Sequence, residues 1–115
     1  MASLNSSGDI LDELFRVLQA RKSADAGSSY VASLYAKGTD AILKKIGEEA
    51  AETLIAAKNA DDAPLIHEIA DLWFHTLVLM AQRDLPLARL TGELARRFGT
   101  SGHAEKAARA QDMTR

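Results

Sequence analysis

The stretch Ile69 to Ala81, IADLWFHTLVLMA, is apolar on nearly every side when wound as a helix. With Ile69 at zero and about 100° per residue, Leu72, Trp73, Phe74, Leu77, Val78, Leu79 and Met80 cover most of the circumference. A helix of that kind must be buried. In a chain of 115 residues few other helices are available to cover it. The expected solution is a four-helix core completed by a second copy of the chain, a homodimer. Glu68, His75 and Asp71 nevertheless fall together on one side, at about −100°, −120° and −160°. Carboxylates on such a helix need a partner, because an unpaired buried charge is very costly.

The rest of the chain also reads as helix. Its two prolines, Pro64 and Pro86, sit where helices would begin, and no stretch alternates like a strand. The spacing predicts helices over about 9–22, from Ser28 or Ser29 to Gly38, over 40–58, over 63–83 and over 86–98, with a short one from His103. The 40–58 and 63–83 helices share a short turn and should pack antiparallel. The fold class is all-α, an antiparallel helical bundle. Residues 1–115 are expected to form one domain, with 1–8 disordered and 101–115 a basic C-terminal segment.

Composition removes several function classes. With no cysteine there is no disulfide, thiolate catalysis or cysteine-bound zinc. A formal net charge of −2 gives no reason to expect nucleic-acid binding. No apolar run reaches the length of a membrane span, and the N-terminus lacks the pattern of a signal peptide. A cytoplasmic location is expected. Charge is uneven: 7 basic and 12 acidic side chains precede residue 81, and 7 basic and 4 acidic follow it.

Many of the acidic groups gather on the 40–58 helix. With Ile46 at zero, Ile42, Ala50, Thr53 and Ala57 form an apolar stripe. Glu49, Lys45, Glu52 and Glu48 follow at about −60°, −100°, −120° and −160°. Taken alone, such a row reads as a solvated face. Glu68 and Asp71 on the apolar helix change the balance. Two facing helices, each with a carboxylate pair three residues apart, suit a hard cation such as magnesium, which leaves room for substrate phosphates. His67 to Asp71 approaches a zincin motif, but Asp71 stands where the second histidine belongs. His75 reads as a hydrogen-bonded core histidine or one that supports a ligand. Gly47, inside a helix, either permits close packing or has no role. Arg96, Arg97, Lys106 and Arg109 suit phosphate contacts, and suit a solvated tail equally.

The run Glu48-Glu49-Ala50-Ala51-Glu52, fifteen residues, then Glu68-Ile69-Ala70-Asp71 fits the E-E-x-x-E … E-x-x-D pattern of the all-α, MazG-like nucleoside triphosphate pyrophosphohydrolases. With SSYVASLYAKGTDAILKKIGEEAAE, EIADLWFHTLVLMA and ELARRFGTSGHAEKAAR around it, the chain resembles the phosphoribosyl-ATP pyrophosphohydrolase family from about Ile10 to Arg109. That resemblance implies magnesium-dependent hydrolysis of phosphoribosyl-ATP to phosphoribosyl-AMP and pyrophosphate, the second step of histidine biosynthesis. It implies Glu49, Glu52, Glu68 and Asp71 as metal ligands. Glu48 would then be a supporting group, a ligand to a further metal, or the base that orients water. Lys45 would contact a phosphate or pair with Glu49. Arg96, Arg97, Lys106 and Arg109 would meet the substrate's other phosphate. It also implies a homodimer. Two alternatives stand beside it: a housekeeping enzyme acting on dUTP or non-standard triphosphates, and a non-catalytic helical module that binds a basic partner.

Overall fold

The computed structural model describes residues 6–99 and 102–113. Six helices follow in order: α1 (Ser7–Ala20), α2 (Tyr30–Lys37), α3 (Thr39–Ala56), α4 (Asp62–Gln82), α5 (Leu87–Arg96) and α6 (Gly102–Met113). No strand occurs among the described residues. The chain divides into two compact units, Met1–Leu85 and Pro86–Arg115.

Local chemistry sets the helix ends. The Ser6 hydroxyl accepts the Asp9 amide, so α1 starts two residues earlier than the sequence suggests. Residues 1–5, part of the segment expected to be disordered, lie outside those described. Ser29 caps α2 through the Ala32 amide, and Asp61 caps α4 through the Ala63 amide. Pro64 is tolerated in the first turn of α4, where amides have no helical partner anyway. Gly38 ends α2 and begins α3 with φ of 97°, a left-handed geometry that favours glycine. Gly99, with φ of 80°, stands just past α5.

In the first unit α3 packs against α4, α1 against α4, and α2 against α3. Thr39 bonds Gln82 near one end of the α3–α4 pair, and Glu49 meets His75 further along. The partner number falls as the α3 number rises, so the two helices are antiparallel. Leu18, Ile42 and Val78 are the fully buried large side chains, joined by Phe15, Val31, Leu34, Leu77 and Ala81. The Tyr35 hydroxyl donates to the Leu18 carbonyl and ties α2 to the end of α1. Lys22 holds Asp84, fixing the turn after α1 to the turn after α4.

One detail differs from the sequence reading. The buried seam of α3 is Ile42, Glu49 and Ala56, seven residues apart, whereas Ala50 and Ala57 are exposed. Glu49 therefore lies in the middle of the seam and not at its edge. Helix α4 is not covered all round by its own chain. Trp73 is 56% exposed and Ile66 64%, with Ile69 half-buried on the same side. Gly47 is exposed, and nothing lies within 4 Å of where its Cβ would be, so close packing within the chain does not require it.

Candidate active site

Of the expected carboxylates, Glu68 and Asp71 gather on α4, Glu52 meets Glu68 from α3, and Glu49 meets His75. Glu68 and Asp71 are three residues apart on α4, so one helical turn stacks them. With His67 they offer ligand atoms that all lie within 4.8 Å of one another. His67 Nε2 is 3.2 Å from an Asp71 carboxylate oxygen, an exposed pair across one turn. Glu52 reaches over from α3 and faces Glu68. The Glu68 carboxyl is raised above its ordinary range, first because it would share a hydrogen with Glu52, then because it is partly desolvated and sits near like charge.

Glu49 enters the same region from the buried seam, with 4% of its surface exposed. Its Oε1 lies 2.6 Å from Nδ1 of His75, a side chain equally buried. The aligned hydrogen bond of that nitrogen goes instead to the Asp71 carbonyl, at 2.9 Å. The opposite ring nitrogen, Nε2, is 2.8 Å from the Tyr30 hydroxyl. Tyr30 and Phe74 both set their rings edge-on to the imidazole, with centroids 5.8 and 5.2 Å away. Among the described residues two shielded carboxylate oxygens lack an aligned hydrogen bond: Glu68 Oε2, and Glu49 Oε1, which has only the misaligned contact with His75.

Such orphaned acceptors are expensive unless something positive meets them. The carboxylates of Glu52, Glu68 and Asp71 suit magnesium, which takes carboxylates together with water and phosphate oxygens, and His67 adds a nitrogen beside them. The residues present therefore fit a hard cation.

The remaining expected residues lie around this cluster or apart from it. Lys45 and Glu48, on the turn of α3 before Glu49, are near enough to act on the Tyr30 hydroxyl, as are Glu49 and Asp71. Burial raises the Tyr30 phenol above its usual range, and Lys45 opposes that rise. Arg96 and Arg97, in the second unit, both bond Glu93, at 2.7 Å and 3.4 Å. That pairing holds the Glu93 carboxyl down at about 2. Lys106 and Arg109 are exposed on α6.

Two contacts were not singled out by sequence: that of the Tyr30 hydroxyl with His75, and that of His75 with Glu49. The first joins positions 45 residues apart, and no local pattern announces it. An open cavity of about 290 Å³ adjoins Tyr30 and Phe74, its other walls being Arg21, Ser28, Ser29 and Val31.

Known proteins match this chain along nearly its whole length. Residues 11–98 fit the family described as Phosphoribosyl-ATP pyrophosphohydrolase. A phosphoribosyl-ATP pyrophosphatase from Trichlorobacter lovleyi is 58% identical over 106 residues, 92% of this chain and 98% of the relative. Proteins of the same name from Hydrogenovibrio crunogenus and Geobacter metallireducens are 53% and 51% identical, covering 92% and 95% of this chain and 97% and 100% of theirs. Carboxylates facing each other from two antiparallel helices are a donor set that a metal-assisted phosphoanhydride hydrolase can use. The chain belongs to the phosphoribosyl-ATP pyrophosphohydrolase family.

Proposed function

We propose that the carboxylate cluster between α3 and α4 carries out the family's reaction, hydrolysis of phosphoribosyl-ATP to phosphoribosyl-AMP and pyrophosphate in histidine biosynthesis. The activity follows from membership of the family and from relatives more than half identical over almost their full length. The observation that supports this location is the shielded Glu68 Oε2, which has no hydrogen-bond partner among the described residues, on the helix face that also carries Asp71. Glu49, Glu52, Glu68 and Asp71 would hold magnesium. Bound there, magnesium supplies positive charge against the triphosphate and the leaving pyrophosphate. Glu48, exposed one residue before Glu49, is the group proposed to orient the attacking water. Lys45, half-buried three residues further back, is proposed to meet a phosphate oxygen. Arg96, Arg97, Lys106 and Arg109 are proposed for the phosphate on the second ribose.

The working form is proposed to be a homodimer. Ile66, Ile69 and Trp73, spaced i, i+3, i+7, make an apolar stripe on α4, and α3 exposes Leu43, Leu54 and Ile55. A second copy of the chain would cover these surfaces. No described helix is long and apolar enough to cross a membrane, and a cytoplasmic location is proposed.

The test is pyrophosphate release from phosphoribosyl-ATP, ATP and dUTP, with and without magnesium. Rapid, magnesium-dependent release from phosphoribosyl-ATP alone is expected. Preference for dUTP would overturn the substrate, and release untouched by Glu52→Gln would overturn the site.

A further inference from the structure

His75 is a titratable side chain buried to 4% exposure, and Glu49 is the other buried polar or charged residue among those described. The reaction as proposed gives it nothing to do. Its surroundings decide what it does. Nδ1 faces two acceptors, the Asp71 carbonyl at 2.9 Å and Glu49 Oε1 at 2.6 Å. A bare lone pair against two oxygens would be repelled by both, so Nδ1 carries the hydrogen. With the hydrogen on Nδ1, Nε2 can accept, and the Tyr30 hydroxyl at 2.8 Å is placed to donate to it. The edge-on rings of Tyr30 and Phe74 leave the imidazole little freedom to turn.

We infer that Tyr30 and His75 are positioning residues: the Tyr30 hydroxyl fixes the His75 tautomer so that its Nδ1–H side holds the Glu49 carboxylate ready for a divalent cation. This rests on the proposed role of Glu49 as a ligand. Glu49 sits in a packed seam with no donor aligned on Oε1. Without the Nδ1–H edge beside it, that oxygen would face a lone pair, and the carboxylate would turn away or take up a proton. The Asp71 carbonyl accepts the same Nδ1–H, so one imidazole is tied at once to Glu49 and to the backbone that carries the Asp71 side chain. Tyr30 acts one step further out, through the ring. Outer groups of this kind commonly change metal affinity by about 10–100-fold when removed.

The experiment measures Mn2+ affinity by electron paramagnetic resonance, on the whole protein without substrate. The substitutions separate the two ring nitrogens. In His75→Asn the amide NH2 takes the place of Nδ1–H, and it is a donor without help from Tyr30. In His75→Gln the amide reaches towards Tyr30 and nothing replaces Nδ1–H. Tyr30→Phe removes one oxygen from a side chain that is 52% exposed, so it tests the relay even where a His75 variant does not fold. The expected result is about tenfold weaker Mn2+ binding for Tyr30→Phe and His75→Gln, with unchanged circular dichroism and melting temperature. Affinity within threefold of wild type is expected for His75→Asn, with no further loss when Tyr30→Phe is added to it. Nitrogen-15 shifts of the metal-free protein should place a hydrogen on Nδ1. Wild-type affinity for Tyr30→Phe, equal weakening by His75→Asn and His75→Gln, or a hydrogen on Nε2 alone would each overturn the assignment. The Glu52→Gln variant is the control for the underlying site: if it keeps full Mn2+ affinity, the metal site fails, whatever the relay does.

Discussion

The carboxyls of Glu52 on α3 and Glu68 on α4 face each other across the helix pair, and the hydrogen they would share, with partial desolvation and like charge behind it, raises the Glu68 carboxyl above its ordinary range. A group whose folded value is raised binds its proton more tightly folded than unfolded. Its stabilising contribution is complete below the unfolded value, near 4.5. It is lost as pH rises through the folded value, leaving two carboxylates in opposition at neutral pH. Glu52→Gln should therefore raise the melting temperature of the metal-free protein at pH 7, and the gain should shrink as pH falls through the raised Glu68 value towards about 4.5. Melting curves in a chelator across that range check it; a variant less stable than wild type at pH 7 contradicts it.

The same geometry separates activity from folding. Glu68→Gln and Asp71→Asn should keep the helical circular dichroism, since neither side chain supports the core. Turnover should fall by roughly the 100-fold or more that follows removal of one charge-stabilising group. Retained wild-type turnover in either variant removes that residue from the site.

A cation that binds only the folded state adds stability by mass action, about 2.7 kcal/mol at a hundredfold excess over Kd. Millimolar magnesium should raise the melting temperature of the wild type and do much less for Glu49→Gln. An equal shift in both proteins would mean a non-specific ion effect.

Much of this was visible in the sequence, for physical reasons. The helices lie within about two residues of their expected ends wherever a cap is chemically distinct, as at Ser29, Gly38 and Asp61. The carboxylates came from spacing alone, because i, i+3 pairs on antiparallel helices must stack and can converge. What escaped was set by tertiary packing. A wheel centred on Ile46 puts Glu49 at the stripe's edge; the actual seam passes through Glu49 because His75 faces it from α4. The Tyr30 hydroxyl reaches His75 only once α2 has folded beside α3. Gly47 offered two readings, and open space beside it removes close packing within the chain.

That open space carries a prediction of its own. An exposed glycine in a helix interior costs about 1 kcal/mol against alanine. Gly47→Ala should therefore raise stability by about that amount in urea titration. A loss would mean that another surface, such as a second subunit, approaches this position closely.

Association can be tested on the outer face of α4. Trp73 and Ile66 expose more than half of their surface in a helix that is otherwise strongly apolar, and such a patch marks an interaction site. Light scattering at micromolar concentration should return the mass of two chains. Trp73→Lys places a charge where the second copy would pack, and should give a folded monomer with reduced activity. A wild-type monomer with full turnover would refute the dimer.

The last prediction concerns the phosphate that the carboxylate cluster does not serve. Phosphoribosyl-ATP carries a phosphate on its second ribose, and a cation among carboxylates can meet only the triphosphate. The proposed contacts include Arg97, which is now engaged with Glu93 at 3.4 Å on the surface of α5. An exposed pair of this kind is worth little, so the guanidinium can turn to a phosphate at small loss, and its planar fork matches the phosphate oxygens. A well-aligned charged contact contributes about 1.5–3 kcal/mol. Arg97→Ala should therefore raise KM for phosphoribosyl-ATP by roughly 10–150-fold with kcat nearly unchanged, because this phosphate is bound alike in ground and transition states. Slow hydrolysis of plain ATP, which lacks that phosphate, should be spared. Equal losses on both substrates would assign Arg97 to the triphosphate or to the fold. Arg21 on the wall of the cavity beside Tyr30 supplies the comparison: if Arg21→Ala raises KM selectively and Arg97→Ala does not, the second phosphate is met there and not on α5.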